Sequence, residues 1–208
     1  MPDVPDRPHR TGAFWLDLVV ALTAVCVSGA SLWVALRADQ TQERLLAASV
    51  WPVLQYETSD YVQSGPVEQT RHVIRFTITN AGVGPARVRW FDVYYLGKAM
   101  PDGTAMLFRC CESGVKHGLT RVLVTNYMQG RVLAARETVH FMEIARNAAN
   151  LKEFAVLDKE RLNVYVRSCY CSVLDDCWIL DSRQMQPAPT HNCPPADTPL
   201  FSGLGKRV

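Results

Sequence analysis

The sequence predicts a mainly β protein: an N-terminal transmembrane helix and stalk, followed by an antiparallel β-sandwich-like domain with one short helix. Three observations carry this. Residues 14–36 form an apolar run with no polar face. After Trp51 the chain turns to β-branched and aromatic segments separated by Gly, Pro and Asp clusters. Six of the seven cysteines lie beyond the apolar run, an even set that suits disulfide bonds.

Composition excludes some partners. The chain has 208 residues, 48% of them hydrophobic, enough to bury a sizeable core. Lys and Arg number 22 against 20 Asp and Glu. A net charge of +2 gives no strong field for nucleic acid, and no nucleic-acid motif is present.

The apolar run FWLDLVVALTAVCVSGASLWVAL holds one charge, Asp17, near its leading edge. As a helix at ~1.5 Å per residue it would span ~34 Å, enough for a bilayer core. Trp15 and Trp33 sit near its ends, where indoles favour the interface. Residues 1–13 then form a short tail. A buried core helix would need a polar face. A cleaved signal peptide has small residues available at Ser28-Gly29-Ala30, but the apolar run continues past them to Leu36. A pilin-type leader would need other residues than Ala13 and Asp17 after Gly12. Good helix formers follow and no breaker occurs before Pro52, so the helix should continue as a stalk over residues 37–50.

Strands are expected at VLQYE, HVIRFTITN, ARVRWFDVYYLG, TRVLVTN, ETVHFMEI and RLNVYVRSCYC. Turns fall at Ser64-Gly65-Pro66, Ala81 to Pro85 and Pro101-Asp102-Gly103. Asn147 to Lys159 is the expected helix, with Leu151, Phe154, Ala155 and Leu157 as its apolar stripe. The β domain is bounded at 51–184. A proline-rich tail over 185–208 should be extended and held down through Cys193.

Cys26 lies in the apolar run and reads as a small apolar residue. In NVYVRSCYC, Val164, Val166, Ser168 and Tyr170 share one strand face, and Cys169 and Cys171 the other. Two residues apart on a strand, those cysteines should not pair with each other. Leu174-Asp175-Asp176 supplies a turn that brings Cys171 opposite Cys177, within disulfide range. Cys110, Cys111, Cys169 and Cys193 remain to pair among themselves in an order the sequence leaves open. A zinc site built from Cys169, Cys171, Cys177, His191 and Cys193 competes, but the chain has no CxxC knuckle. Free thiols are the third alternative.

Charge does not orient the helix: Arg7 and Arg10 precede it, and Arg37 and Arg44 follow it. Disulfides place the domain in an oxidising compartment and the amino terminus in the cytoplasm.

NAGVGPA, Asn80 to Ala86, superficially suggests a phosphate loop. A nucleotide fingerprint needs a helix after its glycines, whereas a strand follows here. A structural turn is expected, with Gly82 or Gly84 at positive φ. His9, His72, His117, His140 and His191 are scattered, and no nucleophile–base set has a recognised spacing. No catalytic residue, cofactor or resident metal is assigned, and no enzyme activity is expected.

The membrane helix, ASVWP, NAGVGPA and CYCSVLDDCW, in that order, together resemble a group of uncharacterised bacterial single-pass membrane proteins. The resemblance covers about Leu16 to Ser182. It implies a bacterial envelope location and one anchored β domain, and it implies no catalytic residue; with the cysteine reading, the expected place is the inner membrane with the domain in the periplasm. The function expected is a protein-interaction module that docks on an envelope partner or on its own copies through edge strands and the proline tail. The alternative is a redox-active or zinc-binding protein using Cys110-Cys111 and the later cysteines.

Overall fold

A computed structural model describes residues 11–63, 70–111, 119, 122–196 and 201. The turn expected at Ser64-Gly65-Pro66, His9, His117 and most of the N-terminal tail lie outside the described residues. The chain divides into two compact units, residues 1–48 and 49–208.

The first unit is one uninterrupted helix, α1, Thr11–Ser49. It is long and apolar enough to cross a membrane, and its apolar window is exposed throughout. Thr23, Ser28 and Ser31 donate their hydroxyls to Val20, Ala24 and Val27 carbonyls at 2.9, 2.7 and 2.8 Å. These three hydroxyls are therefore satisfied by their own helix, as they would have to be in hydrocarbon. Arg37 lies over the Trp33 ring, 5.0 Å from its centroid. The span and the stalk inferred from sequence are thus one helix.

The second unit is mainly antiparallel β. Its elements are β1 (Leu54–Gln63), β2 (Thr70–Asn80), β3 (Ala86–Tyr95), β4 (Lys98–Met100), α2 (Gly103–Cys110), β5 (Leu123–Thr125), β6 (Val132–Leu133), β7 (Thr138–Ala145), α3 (Leu151–Glu160), a 3-10 turn (Arg161–Asn163), β8 (Val164–Cys171), β9 (Cys177–Asp181) and β10 (Ala188–Thr190). One sheet has the order β1-β2-β7-β5. The other has the order β10-β9-β8-β3-β4, with β6 on β3.

Both sheets contribute to one core, and two bulges decide which side chains enter it. On β7, Phe76 pairs with Met142 and Thr77 with His140, so Phe141 is the extra residue. On β3, Val88 pairs with Tyr170 and Trp90 with Cys169, so Arg89 is extra. A bulge changes which face later residues take. Ala86 and Val88 enter the core before Arg89, and Phe91, Val93 and Tyr95 after it. Trp90 is turned out of that cluster, and its indole donates to the Pro194 carbonyl at 2.8 Å. Phe141 centres the aromatic packing: Phe91 lies 5.0 Å away and Phe76, Phe201 and Tyr56 lie 6.1–6.3 Å away.

Several expectations need correction. Among the described residues the domain has two α-helices where one was expected. Asp102, expected in a turn, caps α2 by accepting from the Ala105 amide at 2.8 Å. Only Phe154 and Leu157 of the α3 stripe are buried, while Leu151 and Ala155 are exposed. The segment beyond residue 184 is also tied to the domain. β10 belongs to a sheet, and Phe201 is a core residue whose amide donates to the Phe91 carbonyl at 3.3 Å.

Candidate functional site

The glycine segment after β2 is a structural knot. The buried Asn80 side chain accepts from the Val53 and Gly82 amides at 3.2 and 3.1 Å. Its amide nitrogen donates to the carbonyls of Gly84, Ala134 and Leu133 at 2.8, 3.0 and 3.2 Å. The amides of Val83 and Gly84 both donate to the Trp51 carbonyl, at 3.0 and 3.2 Å. The WP stretch and the glycine segment, noted separately in the sequence, are therefore one unit. Neither Gly82 nor Gly84 has positive φ, contrary to expectation. Glycine is needed for close approach. A Cβ on Gly82 would lie 2.5 Å from the Val53 amide nitrogen. A Cβ on Gly84 would lie 2.5 Å from the Val50 Cα and collide with its carbonyl.

The β8–β9 hairpin holds the cysteines. Cys171 pairs in register with Cys177, the placement derived from the turn, and their sulfurs are bonded at 2.07 Å. Ser172 and Asp176 close the turn through a 2.7 Å amide-to-carbonyl bond, with Asp175 at φ 63°. Cys169 is bonded to Cys193 and Cys110 to Cys111, which supplies the connectivity the sequence left open. Tyr170 and Cys169 point to opposite faces. Tyr170 therefore enters the core cluster, while Cys169 ties down the tail. Among the described residues, the group of sulfur, imidazole and carboxylate ligands close enough for a metal is Cys171, Cys177 and Cys193. His191 is not in it.

His140 lies on β7, with its Nδ1 3.0 Å from the Thr77 hydroxyl. Burial and the Arg75 guanidinium hold its imidazole below the usual 6.5, opposed by Glu143. The unfolded chain thus takes up a proton first as pH falls. The associated stability is full above about pH 6.5 and declines below it. Glu137 and Asp181 are also held low, by the Ala134 amide and Arg131 in one case and mainly by Arg183 in the other. Their contribution is lost only at lower pH. His140→Gln is expected to flatten the stability profile just below about pH 6.5 and to leave the carboxylate limb at lower pH in place. Urea unfolding at stepped pH measures both limbs, and an unchanged upper limb would contradict the assignment.

A groove of about 580 Å³ opens beside β1 and is bounded by β9 and the segment leading into β10. Its floor is formed by Tyr170 and Trp178, stacked with centroids 5.9 Å apart. The Tyr170 hydroxyl, pushed up to about 12 by burial, stays protonated and accepts from the Leu54 amide at 3.4 Å. Trp51, 52% exposed, and Met185, fully exposed, stand on the walls. Gln55, Gln184 and Gln186 add amides, Glu57 is the one charged lining residue among the described residues, and the volume is that of a small-ligand or peptide cleft. Sequence reasoning missed this groove because its residues come from three separate stretches and no local pattern joins them.

The edge strands are partly blunted. Tyr170 occupies the outward Leu54 amide on β1, and Arg161 donates to the Thr58 carbonyl at 3.3 Å. β4 and β5 have three residues each, and β10 carries Pro189. No family model, curated protein or solved structure matches this chain.

Proposed function

We propose that the chain is a single-pass inner-membrane protein of a bacterial envelope, with its amino terminus in the cytoplasm and a disulfide-stapled, sandwich-like domain in the periplasm. The domain binds a protein partner and carries out no catalysis. The observation supporting this most directly is the groove, where an exposed indole and an exposed thioether flank a fixed aromatic floor. Tryptophan is favoured as a binding anchor, and methionine adapts to varied apolar surfaces. The three disulfides and the apolar α1 support the compartment and the anchor.

A photoreactive benzoylphenylalanine placed at Gln55 of the full chain tests the reading in cells. Irradiation is expected to give one adduct of discrete mass. Protease added to spheroplasts should destroy it. Trp51→Ala should cut its yield about tenfold, the effect of losing ~1.4 kcal/mol at an anchor. An adduct indifferent to Trp51, or protected from external protease, would reject the groove or the orientation respectively.

A further inference from the structure

We infer that Cys169–Cys193 and Cys171–Cys177 form one thiol–disulfide exchange site, whose co-reactant is a dithiol reductant. The two bridges lie side by side. The sulfurs of Cys171 and Cys193, which belong to different bridges, are 3.7 Å apart. Those of Cys171, Cys177 and Cys193 all fall within 4.8 Å of one another. That separation is close to the ~3–3.5 Å at which reacting atoms sit. Isolated structural staples need no such contact.

The cluster also has an entrance. A cleft of about 370 Å³ is lined by Cys171, Cys177 and Cys193 together with Arg89, Asp175 and Asn192. Arg89 is in the cleft because it is the bulge residue of β3. Its guanidinium favours an entering thiolate and is partly offset by Asp175 at 3.5 Å, which also pairs with Arg87. Cys169 and Cys171 are fully buried and Cys193 is half-buried; within the hairpin bridge Cys177, which lines the cleft and is 7% exposed, is the cysteine nearer to solvent and is the one attacked.

The exchange runs as follows. A thiolate of the reductant bonds to Cys177, and the Cys171 thiolate leaves. Cys171 then attacks Cys193, forming a Cys171–Cys193 bridge and expelling the Cys169 thiolate, which takes up a proton. The second thiol of the reductant resolves the mixed disulfide, leaving with its own disulfide formed and Cys177 as a thiol. Two electrons and two protons pass from the dithiol, and one disulfide of the pair is reduced while the other is re-formed between new partners. The Cys177 sulfur lies 3.3 Å from the Asp175 carbonyl, which can accept from the released thiol. This site is independent of the groove and of any partner bound there.

The test uses the full chain in detergent micelles, treated with one equivalent of dithiothreitol, alkylated in acid and mapped without further reduction. The expected two-electron product joins Cys171 to Cys193 and carries alkyl groups on Cys169 and Cys177. A product with Cys171–Cys177 intact and Cys169 and Cys193 alkylated overturns the proposal. So does reduction confined to Cys110–Cys111. Cys169→Ser provides a second route, because it leaves Cys193 as a thiol beside Cys171 without any reductant. The variant is expected to hold a measurable Cys171–Cys193 fraction with Cys177 free. Exclusive Cys171–Cys177 pairing in it would count against exchange.

Discussion

Gly84→Val is expected to lower the melting temperature of the β domain by about 6–12 °C, corresponding to roughly 3 kcal/mol. The added Cβ meets backbone, not a yielding side-chain tip: the Val50 Cα at 2.5 Å and the Val50 carbonyl. Moving the segment aside would strain the 2.8 Å bond from Asn80 to the Gly84 carbonyl and the amide bonds to Trp51. Asn80 would then lose partners in a fully buried site, where an unmet polar group costs ~1–3 kcal/mol. Val83→Ala in the same segment is the control, because Val83 is 61% exposed. Its melting temperature should stay within about 1 °C of wild type. Near-ultraviolet circular dichroism of the detergent-solubilised chain follows the buried aromatic side chains of the domain, over a contribution from Trp15 and Trp33 of α1 that is common to all variants. A Gly84→Val variant that melts with the wild type would remove the close-approach explanation.

Phe141→Ala should be the most damaging single core change, at ~3–5 kcal/mol. The ring is fully buried and contacts Phe76 within its own sheet, Phe91 of the other sheet and Phe201 near the chain end. Its loss leaves a void that three elements must fill together. The urea midpoint should fall sharply with little change in slope, provided unfolding stays cooperative. Met142→Leu, a near-isosteric change at the neighbouring core position, should cost less than ~1.5 kcal/mol. Equal losses in the two variants would contradict the central place given to Phe141.

The parts legible in the sequence are those encoded locally. The register of Cys171 against Cys177 follows from strand alternation and a turn carrying Asp175 and Asp176. The apolar helix and the β segments follow from composition over a window. What was not legible depends on long-range geometry. The bulges at Arg89 and Phe141 reverse the alternation in mid-strand, so a strict period of two assigns half of β3 to the wrong face. α2 is eight residues long and sits behind a Pro-Asp-Gly cluster that reads equally well as a turn, although Asp102 is a good cap. The tail looked like an appendage because prolines dominate it. A bridge from Cys193, an indole bond to Pro194 and one buried phenylalanine fasten it to the domain.

The blunted edges have a consequence for life on a surface. With α1 as the membrane anchor proposed above, the domain would share a thin layer with its copies, and they would meet far more often than the same number of molecules in free solution. Open sheet edges would make each encounter an opportunity for irreversible stacking. Tyr170 and Arg161 occupy one amide and one carbonyl of β1, Pro189 breaks the donor row of β10, and β4 and β5 are too short to template a long partner. The short and proline-bearing edges would offer such a crowded layer few templates for cross-β pairing.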